Sequence, residues 1–122
     1  MKIRNFLQAK IHRATLTGAD INYEGSLAIC PELLEASGIM PFEQVDVYNL
    51  DNGERLTTYA ISGEKGEIML NGAAALKGKA GQKVIIAAYV GLNRDEVYSH
   101  KPVLVFVDDQ NRIKEVNNGR QT

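Results

Sequence analysis

The sequence predicts a mainly β protein, built as a small barrel with one or two short helices. Short strand patterns recur along the whole chain, tight turns separate them, and only two segments suggest helix. The 122 residues fit one domain with a small hydrophobic core. We therefore expect residues 1–122 to form a single β-barrel domain.

Nine strands follow from runs of β-compatible or alternating residues between turn signals. The predicted strands cover residues 2–7, 11–16, 26–29, 45–50, 55–61, 67–70, 84–90, 103–107 and 112–116. Turns are predicted at residues 18–20, 51–54, 63–66 and 108–111. The run 84–90 is apolar throughout, which predicts a central strand, and the polar residues 117–122 predict a frayed end.

Helical signals are confined to two places. Pro31 suits a first helical position and Gly38 a C-terminal stop, so a helix is predicted over residues 31–37. Asn71-Gly72-Ala73-Ala74-Ala75 interrupts the strand pattern and predicts a short helical turn. Residues 94–100 are polar and predict irregular structure.

The composition excludes several classes of function. Formal net charge is −1, which gives no case for a nucleic-acid or anionic-membrane partner. No apolar run approaches the roughly 20 residues that span a bilayer, and the N-terminus lacks the apolar segment of a signal peptide. Cys30 is the only cysteine, and His12 and His100 are far apart, so neither a disulfide nor a metal site is expected. We expect a cytoplasmic protein.

Tyr23-Glu24-Gly25-Ser26 is a candidate for self-cleavage. The Ser26 hydroxyl can attack the Gly25 carbonyl, because glycine allows strained backbone geometry and leaves that carbonyl open. The resulting ester can eliminate to dehydroalanine, and hydrolysis then gives a pyruvoyl group. The products are a short chain, 1–25, and a long chain, 26–122. Gly-Ser is also a common turn dipeptide, so the motif needs support from the rest of the chain.

Three further motifs carry groups that suit an anionic substrate. Lys10 and His12 share a strand face, where they form either a solvated basic edge or a cationic wall, and His12 could assist proton transfer during cleavage. Arg55 and Tyr59 share another face, with Thr58 opposite. That segment is either an alternating strand with a half-buried tyrosine or part of a site. In a site, Arg55 offers a guanidinium to a carboxylate, Tyr59 a phenolic proton, and Thr58 a hydroxyl that polarises a carbonyl.

The small residues Gly72, Ala73 and Ala74 form either a tight corner or a place where backbone N–H groups approach a ligand.

Together, these four motifs occur in the order and spacing of the pyruvoyl-dependent aspartate 1-decarboxylases, and the chain resembles that family from residue 2 to about residue 107. The motifs are Lys10-Ile11-His12-Arg13, Tyr23-Glu24-Gly25-Ser26, Arg55-Leu56-Thr57-Thr58-Tyr59 and Asn71-Gly72-Ala73-Ala74-Ala75. The resemblance implies a double-psi β-barrel and a homotetramer with active sites between subunits. It also implies conversion of L-aspartate to β-alanine and CO₂ for pantothenate biosynthesis.

The resemblance also assigns roles to individual residues. Ser26 becomes the pyruvoyl, which forms a Schiff base with the substrate amine, so neither a metal nor PLP is expected. Tyr59 is the proton donor, and Thr58 takes part in substrate binding and self-cleavage. Lys10 and Arg55 bind the substrate carboxylates, although the sequence does not decide which binds which. The backbone contacts to the substrate come from Gly72, Ala73 and Ala74.

Two positions depart from the family pattern: Cys30 stands where an aspartate is expected, and Tyr48 where some members have tryptophan. The effect of Cys30 on processing, and the need for a maturation factor, stay open. Two other functions also stay open. One is a non-catalytic β-barrel binding module, and the other is a hydrolase that uses Ser26 and Lys10.

Overall fold

The computed structural model describes residues 1–118 and is mainly β, with nine strands in one sheet. The strands are β1 (Arg4–Thr15), β2 (Gly18–Asp20), β3 (Ser26–Ile29), β4 (Gln44–Asn49), β5 (Arg55–Ser62), β6 (Ile68–Asn71), β7 (Lys83–Leu92), β8 (Val103–Val107) and β9 (Ile113–Asn118). The helices are α1 (Pro31–Ser37), a 3-10 helix (Gly72–Lys77) and α2 (Arg94–Val97). The prediction of a mainly β fold, consistent with a small barrel, is confirmed.

The sheet runs in the order β2-β6-β3-β5-β4-β7-β1-β8-β9. Strand β7 pairs antiparallel with both β1 and β4, as its apolar sequence predicts for a central strand. Alternate residues of β1, β4 and β7 point inward and are buried, among them Ile11, Val47 and Ile86. These side chains build the hydrophobic core, whose burial is the main favourable term in folding.

The N-terminal prediction needs two corrections. Residues 4–15 form one long strand rather than two short ones, with register shifts between Leu7 and Ala9 and between Ile11 and Ala14. Such bulges bend a strand and explain why the alternation in the sequence is interrupted. The predicted turn at Gly18–Asp20 is instead strand β2, because these residues find a parallel partner in β6.

Helix α1 confirms its prediction from Pro31 and Gly38. Gly38 adopts φ +77°, and its N–H donates to the Leu34 carbonyl, which closes the helix. Helix α2 was not predicted. Its capping box, in which Asn93 and Glu96 accept hydrogen bonds from each other's backbone N–H groups, was a readable signal in the sequence.

The C-terminal end also differs from prediction. Strand β9 extends to Asn118, where fraying was predicted from residue 117, and residues 119–122 lie outside the described part of the chain. No helix within residues 1–118 has the length and apolar character to cross a membrane.

Candidate active site

Ser26 is the first residue of β3, a short strand held between two neighbours. Strand β6 pairs antiparallel with β3 and sets Asn71 opposite Ser26, while β5 pairs parallel with β3 on the other side. Ser26 is 1% exposed, although the four residues before it lie at the surface. The chain therefore passes from an exposed loop into the barrel at the Gly25–Ser26 bond.

Asn71 is the side-chain partner of Ser26. Asn71 Nδ2 donates to Ser26 Oγ at 3.2 Å, and Ser26 Oγ donates to the Glu24 carbonyl at 3.5 Å. Asn71 is 2% exposed, and its Oδ1 has no hydrogen-bond partner among residues 1–118. A buried polar atom without a partner costs free energy, so Asn71 Oδ1 is available as an acceptor for a further group.

Sequence analysis assigned no role to Asn71. A polar residue at the end of an apolar strand was a signal that the sequence did contain. The sequence does not show that Ser26 is its partner, because the two residues are 45 positions apart and meet only through the pairing of their strands.

Gly25 and Gly72 touch across the β3–β6 pair. A Cβ on Gly72 would lie 2.7 Å from the Gly25 Cα and 2.8 Å from its nitrogen, and Gly72 adopts φ +64°. Only glycine fits both the conformation and the space. The 3-10 helix therefore begins directly against the predicted cleavage segment.

Thr58 and Tyr59 reach the same place from β5. The parallel register pairs Leu27 with Ala60, so Thr58 and Tyr59, the two residues before Ala60, lie beside the start of β3. The Thr58 side chain makes no hydrogen bond among residues 1–118. Tyr59 is 37% exposed, and its ring packs against Phe42 at 6.2 Å between centroids.

The other predicted site residues near Ser26 lie in the segment before Gly25 and in the first turn of the 3-10 helix. Tyr23 is 55% exposed, and its carbonyl oxygen would lie 3.1 Å from a Cβ on Gly72. Ala73 is exposed and Ala74 packs against the core, both in the first turn of the 3-10 helix. The first N–H groups of a helix have no partner within the helix, which leaves them for other acceptors.

Lys10 and His12 lie elsewhere in the chain. Both are on β1, four strands from β3 in the sheet order. His12 packs edge-on against Phe106, and its Nδ1 is buried without a partner among residues 1–118. Burial, and then the positive charges of Lys10 and Arg13, lower the pKa of His12, so its imidazole is neutral at pH 7.

Arg55 is on the same strand face as Tyr59 and is the first residue of β5. Four residue steps along the strand separate the two, a distance of about 13 Å. The Arg55 guanidinium lies over the Tyr48 ring, with Cζ 4.3 Å from the centroid. One chain thus brings together Gly25, Ser26, Thr58, Tyr59, Asn71 and Gly72. It holds Lys10, His12 and Arg55 apart from them.

Comparisons with known proteins show to which family the chain is similar. A family model described as "Aspartate decarboxylase" matches residues 1–114. The chain is 55% identical over 111 residues to an aspartate 1-decarboxylase of Bdellovibrio bacteriovorus, covering 91% of this chain and 90% of that protein. It is 53% identical over 113 residues to an aspartate 1-decarboxylase of a Hydrogenobaculum species, covering 93% and 90%. A Caldicellulosiruptor bescii protein of the same name is 55% identical over 109 residues, covering 88% and 85%.

These similarities place the chain among the decarboxylating enzymes. It belongs to the aspartate decarboxylase family. The resemblance stated from the four motifs is therefore confirmed, and a catalytic function is favoured over a non-catalytic binding module.

Proposed function

We propose that this chain is a self-processing, pyruvoyl-dependent aspartate 1-decarboxylase that converts L-aspartate to β-alanine and CO₂. The observation that carries the proposal is the convergence of Ser26, Gly25, Asn71 and Gly72 at one buried strand end. Membership of the aspartate decarboxylase family supports the substrate and the reaction. The product serves pantothenate biosynthesis, and the enzyme acts in the cytoplasm. The whole chain forms a single β-barrel domain.

Self-cleavage starts from the Ser26 hydroxyl. Its oxygen attacks the Gly25 carbonyl carbon, the Gly25–Ser26 C–N bond breaks, and the Ser26 nitrogen gains a proton. Removal of the Ser26 α-proton then expels the Gly25 carboxylate and leaves dehydroalanine. Water converts this group to the pyruvoyl and releases ammonia. The short chain then ends at Gly25.

The surroundings of Ser26 suit this sequence of steps. Asn71 Nδ2 already donates to the attacking oxygen, and Thr58 lies in β5 beside the start of β3, where its hydroxyl would polarise the Gly25 carbonyl. Close packing of Gly72 on Gly25 fixes the backbone of the bond that breaks. Tyr23 is part of the same exposed loop, and His12 is the candidate proton acceptor in the assembled protein.

The same residues fit a pyruvoyl group at position 26. Position 26 is buried, and Asn71 offers an amide donor together with an acceptor that has no partner among residues 1–118. No cluster of metal-ligating side chains is found in the described part of the chain. A pyruvoyl supplies a carbonyl that accepts electrons as CO₂ leaves, the chemistry that PLP supplies in other enzymes.

The side chains around it have separate tasks. Tyr59 delivers the proton that replaces CO₂ at the substrate α-carbon. Arg55 and Lys10 bind the two carboxylates of L-aspartate and orient it. Gly72, Ala73 and Ala74 contribute backbone N–H groups, and Thr58 a hydroxyl, to substrate binding.

These tasks require more than one copy of the chain. Within one chain, Arg55 lies about 13 Å along β5 from Tyr59, and Lys10 is four strands from β3. The Arg55 guanidinium also lies over Tyr48 of β4, on the other side of β5 from β3. We therefore infer that the cations come from a neighbouring subunit, which agrees with the homotetramer and intersubunit sites implied by the family resemblance.

Membership of the aspartate decarboxylase family favours a decarboxylase over a hydrolase built on Ser26 and Lys10.

The decisive test is the mass of the chain before and after Ser26→Ala. The unchanged protein should give two species under denaturing conditions, one ending at Gly25 and one covering residues 26–122 with a blocked N-terminus. Ser26→Ala should give one intact chain without decarboxylase activity, because the attacking oxygen is gone. Ser62→Ala, an exposed serine on β5, serves as the matched control and should process normally. Two species from Ser26→Ala would refute the nucleophile.

A further inference from the structure

Four polar side chains on the outer face of β4, β5 and β7 form one hydrogen-bonded chain, which we call the Tyr89 network. The hydroxyls of Tyr89 and Tyr48 lie 2.9 Å apart, and Tyr48 donates to Asp46 Oδ2 at 3.3 Å. Thr57 Oγ1 donates to Asp46 Oδ1 at 2.7 Å. Tyr48 has one hydroxyl proton and gives it to Asp46, so Tyr89 is the donor in the tyrosine pair.

The electrostatics agree with this direction of donation. The hydrogen bond to Tyr48, followed by burial, raises the pKa of Tyr89 to about 12. A phenol that donates a hydrogen bond keeps its proton, because ionisation would destroy the bond. Tyr89 is therefore a neutral donor throughout the pH range in which an enzyme works.

Arg55 rests on the ring that this network fixes. Its Cζ lies 4.3 Å from the Tyr48 centroid, and the two residues are cross-strand partners of β4 and β5. A guanidinium that lies over a ring uses none of its N–H hydrogen bonds for that contact, so they stay available for a carboxylate. Among residues 1–118 Arg55 forms no salt bridge.

Asp46 is the carboxylate best placed to compete for Arg55. It precedes Tyr48 by two residues and is the cross-strand partner of Thr57, on the strand face that also carries Arg55. Both of its oxygens already accept hydrogen bonds from hydroxyls of the Tyr89 network. Arginine–carboxylate pairs are among the stronger hydrogen-bonded pairs, so a released Asp46 would occupy the guanidinium that a substrate needs.

We propose that Tyr89 is a positioning residue for substrate binding. It acts through Tyr48, whose ring supports the Arg55 guanidinium and whose hydroxyl keeps Asp46 away from that guanidinium. This inference rests on the proposed role of Arg55 as a carboxylate-binding cation. It adds a residue that touches neither the substrate nor the pyruvoyl.

The test is steady-state kinetics of the processed enzyme with Tyr89→Phe. Loss of one hydrogen bond in the network should raise the KM for L-aspartate between about two- and tenfold, with kcat within about twofold and complete self-cleavage. Adding Asp46→Asn should cancel the effect, because a neutral amide does not compete for Arg55. The KM of the double variant should then match that of Asp46→Asn alone.

Two controls separate this inference from the proposed function. Tyr98→Phe removes a hydroxyl from an 80% exposed tyrosine outside the network and should leave KM unchanged. Arg55→Ala should raise KM strongly. An unchanged KM in Tyr89→Phe beside a raised KM in Arg55→Ala would overturn the inference and leave the proposed function intact, whereas an unchanged KM in Arg55→Ala would remove Arg55 from the site. Incomplete cleavage, or a fall in kcat as large as the rise in KM, would assign Tyr89 a merely structural role.

Discussion

Asn71 shows how a single residue gains a role from its partner. In the sequence it is a polar residue at the start of a small-residue corner. In the fold it is 2% exposed, and its amide donates to the hydroxyl of Ser26. Its Nδ2 faces the predicted nucleophile, and its Oδ1 has no partner within residues 1–118.

Tyr59 is the residue whose chemical task can be isolated most cleanly. Tyr59→Phe keeps the ring that packs on Phe42 and removes only the phenolic proton. General acid catalysis contributes on the order of a hundredfold or more, so kcat should fall by at least about that factor. Self-cleavage should be complete, since that reaction uses Ser26. An unchanged kcat in single-turnover and steady-state assays would eliminate the proton-donor role.

At the scale of elements, the junction between β6 and the 3-10 helix controls the cleavage loop. Gly72 begins that helix and lies against the Gly25 backbone, so the two segments pack without side chains between them. Strand β3 fixes the other end of the loop through its pairing with β5 and β6. The Gly25–Ser26 bond, where cleavage is proposed, thus lies between a strand paired on both sides and a tightly packed corner.

A pair of glycine variants tests this packing. Gly72→Ala introduces a Cβ 2.7 Å from the Gly25 Cα and should abolish or greatly slow self-cleavage. Gly38→Ala is the matched control, because Gly38 has a similar φ of +77° but open space around a Cβ. It should lose only about 1 kcal/mol of stability to backbone strain and process like the parent chain. The measurement is the fraction of each variant that is cleaved over time, followed by mass. Equal cleavage of the two variants would contradict the packing argument.

At the scale of the whole molecule, the candidate site is divided between two regions of the barrel. One group, Ser26 with its neighbours, lies on β3, β5 and β6, whereas the two candidate cations lie on β1 and at the first residue of β5. Under the proposed function, a complete site combines residues from two copies of the chain.

Hybrid oligomers test this division. Ser26→Ala and Arg55→Ala chains should each be nearly inactive alone. The first lacks the pyruvoyl, and the second lacks a carboxylate-binding cation. Co-expressed, they should regain activity, since with random pairing about a quarter of the sites combine an intact Ser26 with an intact Arg55. Failure of the mixture to exceed the two parents, with mixed oligomers demonstrated by mass, would place both residues in the same chain's site.

The sequence by itself determined the fold class, most strand positions, helix α1 and the membership of the family. The first three follow from local signals: alternation in β4, the apolar run of β7, and the flanking Pro31 and Gly38. The family follows from the resemblance carried by the four motifs. Local signals also located the Gly25–Ser26 motif, because its chemistry involves adjacent residues. The capping box of α2 was equally local and could have been read.

Only the tertiary structure decided which of these residues meet. Strand β2 exists because β6 pairs with it, and Asn71 contacts Ser26 because β3 and β6 share a register. The Gly25–Gly72 contact and the Tyr89 network likewise join residues more than ten positions apart. The distance between Arg55 and Ser26 also depends on how β5 pairs with β3. The physical reason is that strand pairing joins segments distant in sequence, and no local pattern encodes which two strands will be neighbours.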